Sequence, residues 1–263
     1  SGYKAYVVGG AVRDLLLGVK PKDFDVATDA TPEQVKRAQR RAFIIGRRFR
    51  LVHVVFGNEI VECSTFRALD ASGVRKDASG RVISDNIFGE MWEDAARRDF
   101  TINALYYDPS TGDIYDYHGG YEDIRRKTLR MIGYPQARYR EDPVRMMRAV
   151  RFAAQLGFTL ADDTKNAILG MSGNLANISA ERIQTELVKL LTPPRPHWFK
   201  MAYETGITTV IMPEFDRIMA QRQNNPHHIY TTGEHTLVAL RSIPSDKVLR
   251  LTMLFHDLSL IHI

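Results

Sequence analysis

Two aspartates stand two residues apart near the start of the chain, on either side of Phe24. The residues around them predict a strand over 23–28, in which residues i and i+2 face the same side. Asp23 and Asp25 would then share one face, with Phe24 turned into the core. Adjacent carboxylates repel unless a cation lies between them, and oxygen ligands suit Mg²⁺ or Mn²⁺ rather than Zn²⁺. The pair indicates a divalent-metal site, although surface turns also contain such pairs.

A glycine pair precedes the aspartates. Gly9 and Gly10 follow a predicted strand and open a predicted helix over Ala11–Leu17, so their backbone N–H groups could approach a phosphate closely. Arg13 lies one turn into that helix and could reach the same anion. A phosphate site beside paired carboxylates suggests transfer of a phosphorus-containing group, in which metal ions stabilise the triphosphate and activate an attacking hydroxyl.

The remaining pattern predicts an α/β region followed by a helical one. Two apolar strands flank the turn at Gly57–Asn58, which is typical of a hairpin. Residues 91–108 are helical in pattern. From about residue 122 the pattern predicts helices, among them Val144–Leu156, which Gly157 should end.

Composition and charge narrow the class of protein. The chain has 263 residues, 44% of them hydrophobic and 25% charged, which is ordinary for a globular fold. The sequence contains neither an apolar run of about 18 residues nor a signal-peptide pattern, so we expect no membrane span. The net charge of +5 and the arginine clusters favour a polyanionic partner, with solvated helix faces as the alternative. The single Cys63 excludes an internal disulfide and fits a reducing, cytoplasmic setting. Both ends are close to apolar segments, so we expect a fragment of a longer protein.

Several stretches closely resemble class II template-independent RNA nucleotidyltransferases, the bacterial poly(A) polymerases and CCA-adding enzymes of the polymerase-β-like superfamily. They are "VVGGAVRDLLLG", "KDFDVATDATPE", "EDAARRDFTINALYYDP" and "YREDPVRMMRAVRFAAQLGF". The resemblance covers at least residues 3–158. It implies an α/β (α+β) polymerase-β-like head over 1–125, an all-helical neck with base recognition over 126–192, and the start of a helical body over 193–263.

The resemblance also implies roles for residues of the head. Asp23 and Asp25 would hold the catalytic metals, and Asp99 resembles a further catalytic acid of the poly(A) polymerases. Glu62, on a neighbouring predicted strand, is a rival third carboxylate. The residues that would bind the nucleotide, mainly its triphosphate, are Gly9, Gly10, Arg13 and Arg98.

In the neck, the resemblance implies that Asp142 and Arg145 read the edge of the base, with Arg148 and Arg151 nearby. A carboxylate accepts from an exocyclic amine and a guanidinium donates to ring acceptors, so such a pair can select a base without a template. The steps of three keep these residues on one broad helix face, and an exposed basic helix side is the alternative. Asp142 is also a candidate helix cap. Both of its roles hold only if one oxygen caps while the other faces the nucleotide.

Different parts of the chain resemble the two kinds of enzyme in the family. "FIIGRRFRLVHVVF" resembles a signature of the poly(A) polymerases, whereas "NISAERIQTELVKLL" and residues 213–240 resemble CCA-adding enzymes that carry a histidine–aspartate (HD) phosphohydrolase-like region. There His235, His256 and Asp257 are candidate metal ligands by residue type, and buried or surface histidines without a metal are the alternative that we favour. In place of the Gly-Lys that follows the His-Asp pair in that family, this chain has "LSLIHI".

We therefore predict an enzyme that transfers AMP from ATP to RNA 3′-hydroxyl ends, with Mg²⁺ or Mn²⁺, and releases pyrophosphate. The alternatives are CCA addition to tRNA with ATP and CTP, an inactive RNA-binding fragment, and a phosphohydrolase centred on the HD residues. The RNA would be mRNA or tRNA. Its backbone would contact the basic residues Arg47, Arg48 and Arg50.

Overall fold

The computed structural model describes residues 2–46, 50–69, 75–76, 82–84, 88–221 and 230–258. The chain forms two compact units, Ser1–Arg126 and Lys127–Ile263. The division of the second unit into a neck and a body stays a prediction.

A mixed sheet forms the centre of the first unit. Within the described residues it has seven strands in the order β3-β4-β5-β2-β1-β8-β9; β2 and β5 are parallel and the other neighbours antiparallel. The strands of this unit, including the separate pair β6–β7, are β1 (Ala5–Val8), β2 (Asp25–Thr28), β3 (Ala42–Ile45), β4 (Leu51–Phe56), β5 (Glu59–Thr65), β6 (Arg75–Lys76), β7 (Val82–Ser84), β8 (Leu105–Tyr107) and β9 (Ile114–Asp116). The hairpin predicted at Gly57–Asn58 joins β4 and β5.

Helices cover the two faces of this sheet. They are α1 (Gly10–Leu16), α2 (Pro32–Ala38), α3 (Met91–Arg97) and α4 (Gly120–Arg125). On one face Ala95 of α3 packs with Tyr6, Val8, Ala27, Phe66 and Tyr106. On the other face Val35 of α2 packs with Ala30, Ala42, Val52, Val54 and Cys63. Neighbouring residues of β2, Val26 and Ala27, thus pack into different cores, as the pleat of a strand requires.

The helix predicted over residues 91–108 is wrong beyond Arg97. The backbone of Arg98 is extended, at φ −66° and ψ 168°, and a single 3₁₀ turn over Thr101–Asn103 leads into β8. Strand β8 pairs with both β1 and β9, and its aromatic residues suit a pleated surface. Pairing with distant strands therefore overrides the local helical pattern.

The second unit is mainly helical. Its helices are α5 (Pro135–Glu141), α6 (Val144–Leu156), α7 (Asp162–Met171), α8 (Ala180–Leu191), α9 (Lys200–Glu204), α10 (Thr208–Ile211), α11 (Pro213–Ala220), α12 (Thr232–Ser242) and α13 (Lys247–Phe255). Helix α6 has the predicted bounds, and Gly157 ends it in the left-handed conformation at φ 71°. A short parallel pair, β10 (Thr128–Leu129) and β11 (Thr159–Leu160), departs from the all-helical expectation. Across the described residues, no helix combines the length and apolar character needed to cross a bilayer.

Candidate active site

The aspartate pair lies at the beginning of β2. The strand starts at Asp25, so Asp23 and Phe24 precede it. The prediction that Phe24 is buried is wrong, because its side chain is 44% exposed. Alternation along a strand applies only from Asp25 onwards, and Asp23 lies in the preceding loop, close enough to Asp25 to affect its pKa.

Glu62 is the carboxylate that the sheet brings beside Asp25. The two residues are Cα partners in the parallel pairing of β2 with β5. Partial burial and the Glu62 carboxylate raise the pKa of Asp25 above its usual range, and Asp23 adds to the effect while Arg98 opposes it. Asp25 remains solvent-exposed, so the desolvation is partial. Mutually repelling oxygen ligands of this kind suit a hard divalent cation, which fits the predicted magnesium or manganese site.

The glycine pair lies between two guanidinium groups. Gly9 has φ 71° and ψ −135°, a conformation that L side chains rarely adopt. A Cβ atom on Gly9 would lie 3.5 Å from Nη1 of Arg98, and one on Gly10 would lie 3.4 Å from Nη2 of Arg13. Helix α1 has only seven residues. The guanidinium groups of Arg98 and Arg13 are therefore the charged groups found next to the glycine pair.

Arg98 is held by residues that local sequence reasoning did not single out. Its Nε atom donates to the Tyr106 hydroxyl at 3.0 Å and its Nη2 atom to Asp94 at 3.2 Å. The Tyr106 hydroxyl in turn donates to Asp94 at 2.6 Å. Burial raises the pKa of Tyr106, so this hydroxyl keeps its proton and its role as donor. The i, i+4 spacing of Asp94 and Arg98 is a signal that could have revealed the first of these partners.

Arg13 is buried and held in a similar way. Its Nη1 atom donates to Oδ1 of Asn103 at 2.7 Å, and its Nε and Nη2 atoms donate to Oδ1 of Asp14 at 2.9 Å and 2.7 Å. Asn103 is ninety residues away along the chain. Spacing alone therefore carried no signal for this contact.

The remaining predicted residues of the first unit are Asp99 and three arginines, Arg47, Arg48 and Arg50. Oδ1 of Asp99 accepts from the backbone N–H of Phe100 at 2.8 Å. Arg50 forms an ion pair with Glu33. Arg47 and Arg48 lie outside the described residues. The catalytic role of Asp99 and the RNA contacts of the arginines stay predictions.

In the second unit, Asp142 uses its two oxygens differently. Oδ1 accepts from the backbone N–H of Val144 at 3.3 Å, at the start of α6, and Oδ2 lies 2.8 Å from Nη2 of Arg182 on α8. Nη1 of Arg145 donates to Glu141 at 2.7 Å and to the carbonyl of Arg138 at 3.0 Å. Contacts with α5, α8 and the start of α6 thus orient both candidate base-reading side chains.

Arg151 and Arg148 do not share one solvent-exposed face. Arg151 is 7% exposed, and its Nε atom donates to Glu186 of α8 at 2.6 Å. Its Nη1 atom donates to Gln155 at 3.0 Å. The guanidinium of Arg148 lies 5.4 Å from the centroid of the Phe152 ring. Arg151 therefore joins α6 to α8, and the predicted nucleotide contacts of both arginines stay predictions.

His235, His256 and Asp257 come together between α12 and the end of α13. Each offers one ligand atom, and these atoms lie within 4.8 Å of one another. Nε2 of His256 lies 3.0 Å from Asp257, and its Nδ1 atom lies 2.6 Å from the carbonyl oxygen of Met253. Imidazole and carboxylate donors suit a transition metal. The fold brings the three candidate ligands together.

Two known family patterns match the chain. Residues 5–130 match the family described as the poly(A) polymerase head domain. Residues 157–219 match the one described as the probable RNA- and SrmB-binding site of polymerase A.

Relatives of both activities are similar to this chain. It is 45% identical over 233 residues to poly(A) polymerase I of Escherichia coli O6:H1, which covers 86% of this chain and 50% of the relative. It is 44% identical over 211 residues to the CCA-adding enzyme of Geobacillus thermodenitrificans, which covers 80% of this chain and 51% of that one. The chain thus spans about half the length of these curated relatives.

A solved structure shares the fold. The Bacillus stearothermophilus CCA-adding enzyme in complex with CTP superposes with a TM-score of 0.78 at 35% identity, covering 98% of this chain and 59% of that one.

Proposed function

Because the chain belongs to the nucleotidyltransferase family of poly(A) polymerases and CCA-adding enzymes, we propose that it transfers AMP from ATP to RNA 3′-hydroxyl ends. The observation that carries the proposal is the pairing of Asp25 with Glu62 beside the glycine pair and Arg98. The overall identities to the two kinds of relative are nearly equal, at 45% and 44%. The basic stretch "FIIGRRFRLVHVVF" favours poly(A) synthesis over CCA addition.

The proposed reaction is an in-line displacement at the α-phosphorus of ATP. The RNA 3′-oxygen forms the new bond, the bond to the β-phosphate oxygen breaks, and pyrophosphate leaves while the hydroxyl proton passes to solvent. Asp23, Asp25 and Glu62 would hold Mg²⁺ or Mn²⁺, which supplies charge stabilisation and lowers the pKa of the attacking hydroxyl when bound. Arg13 and Arg98 would bind the phosphates. Glu62 is preferred over Asp99 as the third carboxylate because it pairs with Asp25 across the sheet.

Base selection is proposed for Asp142 and Arg145. The cap and the Arg182 contact fix the Asp142 carboxylate, and Glu141 with the Arg138 carbonyl fixes Arg145. Side chains already held in one rotamer lose less conformational entropy when a base binds, so they bind it more tightly than mobile ones would.

Replacing Arg145 by alanine should relax base choice. A hydrogen bond to a charged group is worth about 1.5–3 kcal/mol, so the preference for ATP over UTP should fall about tenfold or more. The measurement is the ratio of kcat/KM values for the two nucleotides. Arg140→Ala, which removes an exposed arginine from neighbouring α5, is the matched control and should keep the ratio. An unchanged ratio in Arg145→Ala would refute the base-reading role.

Primer extension tests the function itself. A generic RNA oligonucleotide and a tRNA lacking its CCA end would each receive ATP, CTP or both, with Mg²⁺. A long ladder on the generic RNA with ATP alone supports poly(A) synthesis. Additions confined to the tRNA and dependent on CTP would instead assign CCA addition. RNA binding without extension would identify an RNA-binding fragment. The cytoplasmic location expected from the sequence stays a prediction.

A further inference from the structure

One row of cross-strand neighbours runs from Asp25 to the edge of the sheet in the first unit. Asp25 of β2 pairs with Glu62 of β5, Glu62 with His53 of β4, and His53 with Phe43 of β3. Directly paired residues project from the same face of a sheet. Nε2 of His53 lies 3.6 Å from Oε2 of Glu62. The row therefore forms one continuous surface that begins at the candidate catalytic carboxylates.

Two large apolar side chains are exposed on this surface. Phe43 is 58% exposed, and Ile60, which shares the face because it lies two residues before Glu62 on β5, is also 58% exposed. We name Phe43, His53 and Ile60 the edge strip. Strands lie about 4.8 Å apart, so Phe43 is about 14 Å from Asp25 along the row. That length accommodates more than one nucleotide of a single strand.

The row continues on the opposite side of Asp25, where the nearby residues suit phosphate binding. Asp25 pairs with Val8 of β1, and Val8 with Tyr106 of β8. Gly9 follows Val8, and Arg98 lies beside Gly9 with its guanidinium 5.2 Å from the centroid of the Tyr106 ring. The residues that suit a triphosphate thus lie on the β1–β8 side of Asp25, and the edge strip lies on the β5–β3 side.

In-line displacement requires the attacking and leaving oxygens to lie on opposite sides of the phosphorus. With the triphosphate on the β1–β8 side, the RNA 3′-hydroxyl must approach from the β5–β3 side. Aromatic and imidazole rings can stack with any base, which is how single-stranded nucleic acid is commonly bound without sequence preference. An exposed ring in the approach path of the acceptor is therefore placed to stack with its bases.

We propose that the edge strip binds the last nucleotides of the RNA acceptor, with Phe43 stacking on a base, and orients the 3′-hydroxyl towards Asp25. This inference rests on the proposed nucleotidyl transfer. It assigns the strip to single-stranded RNA because the strip is continuous with the carboxylates where the RNA end must react. Phe43 and His53 are positioning residues in this arrangement, since neither touches the reacting phosphorus.

The test compares Phe43→Ala with Phe56→Ala. Phe56 lies on β4, the strand that pairs with the Phe43 strand β3, and is similarly exposed, at 55%, but it faces the other side of the sheet because it is three residues from His53. Base–aromatic stacking is worth about 1–3 kcal/mol, so Phe43→Ala should raise the KM for an RNA oligonucleotide about tenfold, with the KM for ATP unchanged. Phe56→Ala should change neither KM, and Phe43→Trp should retain a low KM for RNA. An unchanged KM in Phe43→Ala, or an equal rise in Phe56→Ala, would overturn the inference.

A modified acceptor makes the test specific for stacking. An RNA with abasic sites at its last two positions should be a poor acceptor for the wild type and hardly poorer for Phe43→Ala, because the same contact is already lost. If the abasic sites and Phe43→Ala each reduced acceptor use by the same factor alone and in combination, the stacking role would be overturned. If the wild type extends no acceptor, the proposed function fails. The role of the edge strip is then tested separately, by measuring the Kd for RNA by fluorescence anisotropy. Weaker RNA binding by Phe43→Ala but not Phe56→Ala supports the strip, and equal Kd values overturn it.

Discussion

Replacing Asp25 by asparagine is expected to reduce AMP transfer by about 10³-fold or more while leaving the fold intact. Metal-assisted stabilisation of the transferring phosphoryl group supplies several kcal/mol, and each 1.36 kcal/mol is a factor of ten in rate. The asparagine side chain would be a nearly isosteric but uncharged ligand. The measurement is the single-turnover rate of primer extension with Mg²⁺, and Asp113→Asn, which neutralises an exposed carboxylate in the turn before β9, is the control.

The same change should not lower stability at neutral pH. The pKa of Asp25 is raised by partial burial and by Glu62, so the folded state binds the proton more tightly than the unfolded state does. Its ionisation therefore opposes folding above the folded-state pKa, and this penalty disappears as the pH falls and the carboxyl protonates. Asp25→Asn should melt at the same temperature as the wild type or slightly higher at pH 7. Full transfer activity would contradict the metal-ligand assignment, and a marked fall in Tm would contradict the predicted effect on stability.

Breaking the buried ion pair between α6 and α8 should have the largest effect on stability. Arg151 and Glu186 have side chains only 8% and 7% exposed, with Nε and Oε2 2.6 Å apart. Removing one partner leaves an uncompensated buried charge, which typically costs about 3–5 kcal/mol. Glu186→Gln should therefore lower the free energy of unfolding by a large part of that amount, as measured by urea denaturation.

Two further variants distinguish the cost of leaving a buried charge unpaired from the cost of losing an ion pair. Glu204→Gln removes the acid of an exposed pair with Lys200, 3.6 Å apart, and should change stability by less than about 1 kcal/mol. The double variant Arg151→Met/Glu186→Leu should be more stable than Glu186→Gln, because it leaves no unpaired charge in the interior. A double variant as unstable as the sum of its single changes would show that the two side chains are not coupled, and would contradict the penalty expected for an isolated buried charge.

Local chemistry in the sequence determined much of the fold and of the candidate site. The Gly57–Asn58 turn specified the β4–β5 hairpin, and Gly157 specified the end of α6, because each depends on the conformational freedom of residues adjacent in the chain. The glycine pair and the two aspartates were also identifiable from residues close together in the chain. Their residue types and short spacing already imply phosphate and metal chemistry.

Tertiary structure decided which groups meet. The pairing of β2 with β5 brings Glu62 to Asp25, and contact across ninety residues brings Asn103 to Arg13. The packing of α6 on α8 buries Arg151, although its spacing alone placed it on one broad face with the base-reading candidates. Periodicity constrains neighbours within one element, whereas strand register and helix packing depend on distant residues that compete for the same core. The residue types that carry the chemistry were therefore readable in the sequence, and the partners that orient them were set by the fold.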